Sequence, residues 1–261
     1  MVNRKKQTGI TLASAQFEPV KCDIAANIDI HCNMIKKAAT YGADFITFPE
    51  MSITGYERQR ASSMAFAPND ARLTAFQSLA VELNICIVAG APIQINTDLF
   101  IGSFIFKPDG TSDVYTKQYL HSGEEEFFDS SFAYNPLIEL KNEKISLAIC
   151  ADINIEAHVM EAARSYCTIY VPSIFFSLKS MEETFKMLGN YAQLNRMSIL
   201  MSNFTGKIWG FEAGGQSAFW DHRGTLVGAL GKNEAGLLIT KKQTKSWACH
   251  KEITAVHIVN N

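Results

Sequence analysis

"ISLAICADINIEAHVMEAARSYCTIYVPSIFF", residues 145–176, decides the fold of this chain. Ile145–Cys150 is a short bounded apolar run, as a buried strand is, and "IEAHVMEAARSYC" (155–167) then reads as a helix. "TIYVPSIFF" (168–176) is a second buried strand, so the stretch predicts a strand–helix–strand unit. It also raises the question of function. A carboxylate, an amide, another carboxylate and a histidine follow Cys150 within eight residues. Free cysteine is among the most buried residue types, so Cys150 either closes a core strand or stands as a nucleophile at its end.

The same alternation recurs upstream. "GITLASAQF" (9–17) is a first strand, and "IAANIDIHCNMIKKAATYG" (24–42) repeats Ala25, Ile28, Cys32, Ile35 and Ala39 at helical spacing, with Gly42 as its stop. "ADFITFPE" (43–50) is a short buried strand. "NDARLTAFQSLAVELN" (69–84) is an amphipathic helix capped by Asn69 or Asp70, and "ICIVAGAPI" (85–93) is again a strand. "IGSFIFKPDGTSDVYTK" (101–117) is a hairpin turning on Pro108-Asp109-Gly110.

After the central unit, "MEETFKMLGNYAQLNRMS" (181–198) is helical. The strands "ILMSNF", "QSAFWDHRG", "TLVGAL" and "AGLLIT" follow, with "DHRG" as a turn. Helices alternating with buried strands early, then hairpins late, imply mixed sheets. Ten or more strands with only four long helices predict an α/β fold: a four-layer α-β-β-α sandwich of two mixed sheets with outer helices. No repeat or linker divides the chain, so residues 1–261 are expected to form one domain.

Composition narrows the function. With 47% hydrophobic and 19% charged residues the chain can bury a sizeable core. A net charge of −2 supplies no field for nucleic acid or a membrane surface. The basic start "MVNRKKQTGITL" lacks a signal-peptide core, and no window approaches the roughly 18 apolar residues of a membrane span. Six cysteines without a C-x-x-C pair favour reduced thiols, and the chain reads as soluble and cytoplasmic. Cys249-His250 suggests a metal at first sight, but no second ligand pair has matching spacing, so a surface or edge-strand pair is the better account.

A catalytic Cys150 needs a base and an oxyanion donor. None of His31, His121, His158, His222, His250 and His257 has a context that marks it as the base, though a Cys/His pair stays open. Glu50 ends the apolar strand "DFITFP" and Lys117 ends "DVYTK". Glu50, Lys117 and Cys150 can thus all project from strand termini, where α/β proteins gather functional groups. Each alone reads more readily as a solubilising strand end, a reading that weakens when the three are taken together.

"FPEMSITGY" (48–56), "YTKQYLHSGEEEFF" (115–128) and "LAICAD" (147–152), in that order, resemble the three signature segments of the nitrilase superfamily of carbon–nitrogen hydrolases. "ASAQFEPVKCDIAANI", "FKPDGTSDVYTK", "VPSIFF" and "QSAFWDHRG" extend the resemblance over nearly the whole chain. It implies the four-layer sandwich and a Glu-Lys-Cys triad at Glu50, Lys117 and Cys150. The family's second site glutamate falls on Glu124, with Glu125 as runner-up. Nitrile-cleaving relatives follow the cysteine with Trp-Glu; here Ala151-Asp152 stand instead, and "INIEAH" replaces an R-F-P-E-like continuation.

The expected chemistry is hydrolysis of a small linear amide through a thioester on Cys150. Glu50 would act as base, Lys117 and the Ala151 backbone N–H as oxyanion donors, and Asp152 as support, with no metal or organic cofactor. Hydrolysis of an N-carbamoyl (ureido) amide and a silent binding module on the same fold are the alternatives. The resemblance further implies a homodimer or larger assembly, paired through outer helices. "SITGYERQRASSM" (52–64) and "FTGKIWGFEAGG" (204–215) are expected to shape the pocket, without a readable substrate code.

Overall fold

The computed structural model describes residues 9–244 and 246–254. One sheet contains β1 (Thr11–Gln16), β2 (Phe45–Thr47), β3 (Cys86–Ile95), β4 (Asp98–Phe106), β5 (Ser112–Thr116), β14 (Gly236–Lys242) and β15 (Trp247–Ile253). Its strand order is β15-β14-β1-β2-β3-β4-β5. The second contains β6 (Ile138–Leu140), β7 (Glu143–Ile149), β8 (Ile169–Ser173), β9 (Ser198–Met201), β12 (Ala218–Trp220) and β13 (Leu226–Ala229), ordered β13-β12-β9-β8-β7-β6. A small ribbon pairs β10 (Lys207–Ile208) with β11 (Phe211–Glu212). Both sheets are mixed: β1–β2–β3 and β7–β8–β9 run parallel, and antiparallel strands flank them.

The two-residue period of the strands builds the layers. Leu12, Phe45, Val88, Leu147, Ile149 and Leu200 face the space between the sheets. Their neighbours Ala13, Ile46 and Ala89 turn outward onto α1 (Ile24–Thr40) and α3 (Thr74–Glu82). Ala148, Ile199 and Met201 turn outward onto α4 (Glu156–Arg164) and α5 (Met181–Asn195). A single turn, α2 (Ala61–Met64), lies in the loop after β2. This is the α-β-β-α sandwich expected from the sequence, with the strand–helix–strand unit as β7-α4-β8. Among the described residues no helix is long and apolar enough to cross a membrane.

Helix α1 differs from its sequence reading in the face it buries. Asn27, His31, Met34, Ile35 and Ala38 point inward, while Ala25 is exposed. Two polar residues are inside because they have work there. Asn27 Nδ2 donates to Val20 O and Ile53 O, and its Oδ1 accepts from Val20 N–H. His31 Nε2 lies 2.9 Å from Ser52 Oγ and Nδ1 2.6 Å from Asn27 O. Both brace the loop that follows β2. Asp70 alone serves as the cap before α3, accepting from Arg72 N–H. The structure adds β6 and β15, which the sequence reading did not separate as strands. On β15 the adjacent Cys249 and His250 point to opposite faces, Cys249 toward Thr240 and His250 onto the Tyr41 ring, so an edge-strand pair is what they are.

Burial pushes His31 down to about 4. The unfolded chain therefore binds more protons than the folded one between roughly pH 6.5 and 4, and the stability His31 contributes falls as pH drops through that window. We predict that the advantage of wild type over His31→Gln in urea unfolding shrinks by about 3 kcal/mol from pH 7 to pH 4. A pH-independent difference would refute this.

Candidate active site

The loops leaving β2, β5 and β7 meet at one end of the inter-sheet core. Behind β2, Glu50 sits on a tight turn completed by Met51 at φ 52°. Strand β3 runs directly beneath: a Cβ on Gly90 would lie 2.5 Å from Met51 N and 2.9 Å from Pro49 O, so this position must be glycine. Lys117 follows the last residue of β5, its N–H still donating to Ile101 O at 2.8 Å. Cys150 follows β7, where the chain turns into a 3₁₀ segment, Cys150–Asn154, with Cys150 itself at φ 46°. The sequence reading closed a strand on this cysteine; the left-handed backbone instead lifts it off the strand. Such a conformation costs a non-glycine residue on the order of 1 kcal/mol and persists only where the surroundings impose it.

Glu50, Lys117 and Glu124 are all fully buried and joined through the ammonium. Lys117 Nζ donates to Glu50 Oε1 at 2.7 Å and to Glu124 Oε1 at 2.8 Å. Glu124 also accepts from Tyr56 OH at 2.6 Å and from the His121 backbone N–H at 2.7 Å. Glu125, the runner-up in sequence, is exposed. Of the four oxygens, Glu50 Oε2 alone is left buried without a hydrogen-bond partner.

Burial pushes the Glu50 carboxyl up to about 7; Lys117 opposes this by its charge and its hydrogen bond, and the Glu124 charge adds to it. Burial works against the Lys117 ammonium too, but the charges of Glu50 and Glu124 outweigh it and hold its pKa above the ordinary value. For Cys150, burial and then Glu50 raise the thiol well above its usual range against the pull of Lys117. The buried surroundings thus favour the thiol over the thiolate. Its Sγ lies 3.8 Å from Phe175 O.

Asp152 has a place that sequence could only suggest. Its Oδ1 accepts from Gln118 N–H and Tyr119 N–H at 3.0 and 2.9 Å, and its Oδ2 from Ile149 N–H and Tyr115 OH at 2.8 and 2.6 Å. One carboxylate thus clasps the Lys117 segment of the first sheet to the Cys150 turn of the second. Beyond it, His158 Nε2 lies 2.9 Å from Tyr115 OH and Nδ1 2.8 Å from Tyr170 OH. Burial lowers the His158 pKa against the pull of Asp152, and both ring nitrogens are taken up by tyrosine hydroxyls.

Cys150 opens onto a cavity of about 530 Å³ lined in part by Tyr56, Glu124, Phe175, Trp209 and Phe211. The two loops expected to shape the pocket do so, supplying Tyr56 and Arg58 from the first and Trp209 and Phe211 from the second. His121 also lines it, but its Nδ1 turns to Ser122 O at 3.1 Å, and it forms no hydrogen bond with Cys150. Ala151 is the second residue of the 3₁₀ segment, so its N–H has no acceptor within that turn. Tyr56, the Phe175 carbonyl and Arg58 were missed in sequence; only Tyr56 had a signal, as the last residue of "FPEMSITGY".

A family model for carbon–nitrogen hydrolases matches residues 11–249. An arylacetonitrilase of Aspergillus niger is 30% identical over 113 residues, which is 39% of this chain and only 34% of the length of that relative. Among solved structures, a variant of the Nesterenkonia AN1 amidase from the nitrilase superfamily superposes with a TM-score of 0.83 at 21% identity, covering 91% of this chain and 92% of that one. Another variant of that amidase, with covalent addition of the acetamide moiety of fluoroacetamide at its active-site cysteine, superposes with a TM-score of 0.81 at 20% identity over 91% and 92% of the two chains. At such identities the likeness is one of fold. With the sequence match running from β1 into β15, the chain belongs to the carbon–nitrogen hydrolase family.

Proposed function

We propose that this hydrolase cleaves small linear amides through a thioester on Cys150, with Glu50, Lys117 and Cys150 as its triad. The observation that supports this most is the buried ammonium of Lys117 held between two buried carboxylates, beside a cysteine that opens onto the cavity. A carboxyl held near neutrality is poised to take a proton and return it at working pH. As Sγ attacks the carbonyl carbon, its proton passes to Glu50, whose Oε2 has no competing partner. The C=O electrons move onto oxygen. Lys117 has three N–H bonds, two of them committed to Glu50 and Glu124, so the third is free for the oxyanion together with the Ala151 N–H.

Collapse of the tetrahedral adduct breaks the C–N bond, and Glu50 hands its proton to the departing nitrogen, releasing ammonia or an amine. Glu50 then deprotonates water, which adds to the thioester; the sulfur leaves, takes the proton back, and the carboxylic acid departs. Glu124 acts by fixing Lys117, itself held by Tyr56 and the His121 N–H.

Lys117→Ala should lower kcat by a hundredfold or more through loss of an oxyanion donor, and Glu50→Gln at least as much. In wild type, kcat/KM should rise with pH through about 7 as Glu50 ionises, and this limb should vanish in Glu50→Gln. Intact-mass measurement with a slow substrate should place an acyl group on the peptide containing Cys150. Near-normal kcat in either variant, or an adduct on Cys86 or Cys167, would contradict the triad.

We place amides above nitriles. Ala151 stands where nitrile-cleaving relatives have tryptophan, and its methyl leaves room beside the sulfur for a substituted amide. Matched amide and nitrile pairs compared by kcat/KM test this; a tenfold preference for the nitrile would sink it.

We further propose one cytoplasmic enzyme domain that pairs as a homodimer through the outer face of α4 and α5. All six cysteines are free, in keeping with a reducing compartment. Met160 and Leu194 on these helices, and Tyr166 just after α4, are large apolar side chains exposed on that side. Sedimentation at micromolar concentration should give twice the 29.0 kDa chain mass, and a mass near one chain would exclude the dimer.

A further inference from the structure

Arg58 is a cation without a counter-charge in the wall of the catalytic cavity. It opens the short 3₁₀ turn Arg58–Arg60 on the loop after Glu50 and lines the same cavity as Cys150. Its Nε is buried and meets no acceptor, and among the described residues the guanidinium has no ion-pair partner. The remaining ionisable groups on that wall do not answer it. Glu124 is committed to Lys117, His121 is turned to Ser122, and Glu183 on α5 is exposed and forms no ion pair with it.

The geometry holds the group in one orientation. The guanidinium carbon lies 4.0 Å from the centre of the Trp209 ring and 6.0 Å from that of Tyr56. Stacking of this kind fixes the plane and leaves the in-plane N–H edges free. Gly123 makes room for it: a Cβ there would lie 3.2 Å from Arg58 Nη1. A planar fork of donors with its plane set by an indole, and with no protein acceptor, matches a carboxylate, which can take two parallel N–H bonds.

We propose that Arg58 anchors a carboxylate at the far end of the substrate, so that the enzyme hydrolyses monoamides of dicarboxylic acids. The amide group reaches Cys150 while the terminal carboxylate rests on the Arg58 fork. This rests on the amide-hydrolase reading above and adds to it the polarity of the substrate's distal end. The uncharged remainder of the molecule runs along Tyr56, Phe175 and Trp209, whose rings form a continuous aromatic wall: Tyr56–Phe175 centroids are 5.1 Å apart and Tyr56–Trp209 centroids 5.7 Å.

The test compares glutaramate, which has a terminal carboxylate, with valeramide, which ends in a methyl group. Wild type should favour glutaramate in kcat/KM by between about tenfold and a hundredfold, as expected for charge-assisted hydrogen bonds. Arg58→Met should collapse that ratio by tenfold or more, chiefly through KM, and Arg58→Lys should keep more of it than Arg58→Met. Equal use of both amides by wild type, or equal loss of both in Arg58→Met, would overturn the anchor while leaving the amide-hydrolase reading standing. Calorimetry on Cys150→Ala separates the two ideas in the other direction. Tighter binding of glutaramate than of valeramide, lost on adding Arg58→Met, supports the anchor even if wild type turns over no amide. Equal binding of the two overturns it.

Discussion

Everything at this site depends on one ammonium group placed where water cannot reach it. An isolated lysine charge in a protein interior is costly by several kcal/mol, and only close opposite charge with complete hydrogen bonding offsets that cost. Lys117 has Glu50 and Glu124 at 2.7 and 2.8 Å for this purpose. The arrangement solves the cation's problem by creating another, because two buried carboxylates share a single positive charge. Glu50 bears the cost: burial first, and the charge of Glu124 after it, drive its carboxyl up to about 7 against the pull of Lys117. A structural compromise thus leaves one buried carboxyl near neutrality.

The fold serves this group through strand ends. Each sheet contributes what the other lacks: the first sheet the carboxylate and the cation, the second the sulfur. Gly90 allows β3 to pass beneath the Glu50 turn, and α1 supports the same loop with polar side chains rather than with its apolar ones. The left-handed Cys150 shows the complementary principle. A side chain that must leave the strand plane does so where the surrounding bonds can hold a disfavoured backbone.

The layers, the strand–helix–strand unit and the three strand-end residues were legible because each rests on local pattern: period two, period 3.6, and charge at the end of an apolar run. What stayed hidden depends on contacts made across the chain. The inward face of α1 could not be read, since Asn27 and His31 look like solvent-facing residues until Val20, Ile53 and Ser52 are brought beside them. By local pattern "EEE" offers three equivalent carboxylates; the family resemblance favoured Glu124 over Glu125, and the loop's docking against Lys117 and Tyr56 is what sets Glu124 apart physically. Arg58 was invisible for the same reason. In "YERQR" it is one of two arginines, and the stacking that distinguishes it comes from Trp209, about 150 residues later in the chain.

The Asp152 clasp has a kinetic meaning. Its four acceptor bonds bind the backbone of Gln118 and Tyr119, behind one sheet, to the turn behind the other. Neither loop can breathe alone without leaving a buried carboxylate unsatisfied, so local opening of the site is coupled to separation of the sheets themselves. The amide protons of residues 118 and 119, though they lie in a loop, are therefore expected to exchange more like those of the core strands than like those of the surface loops.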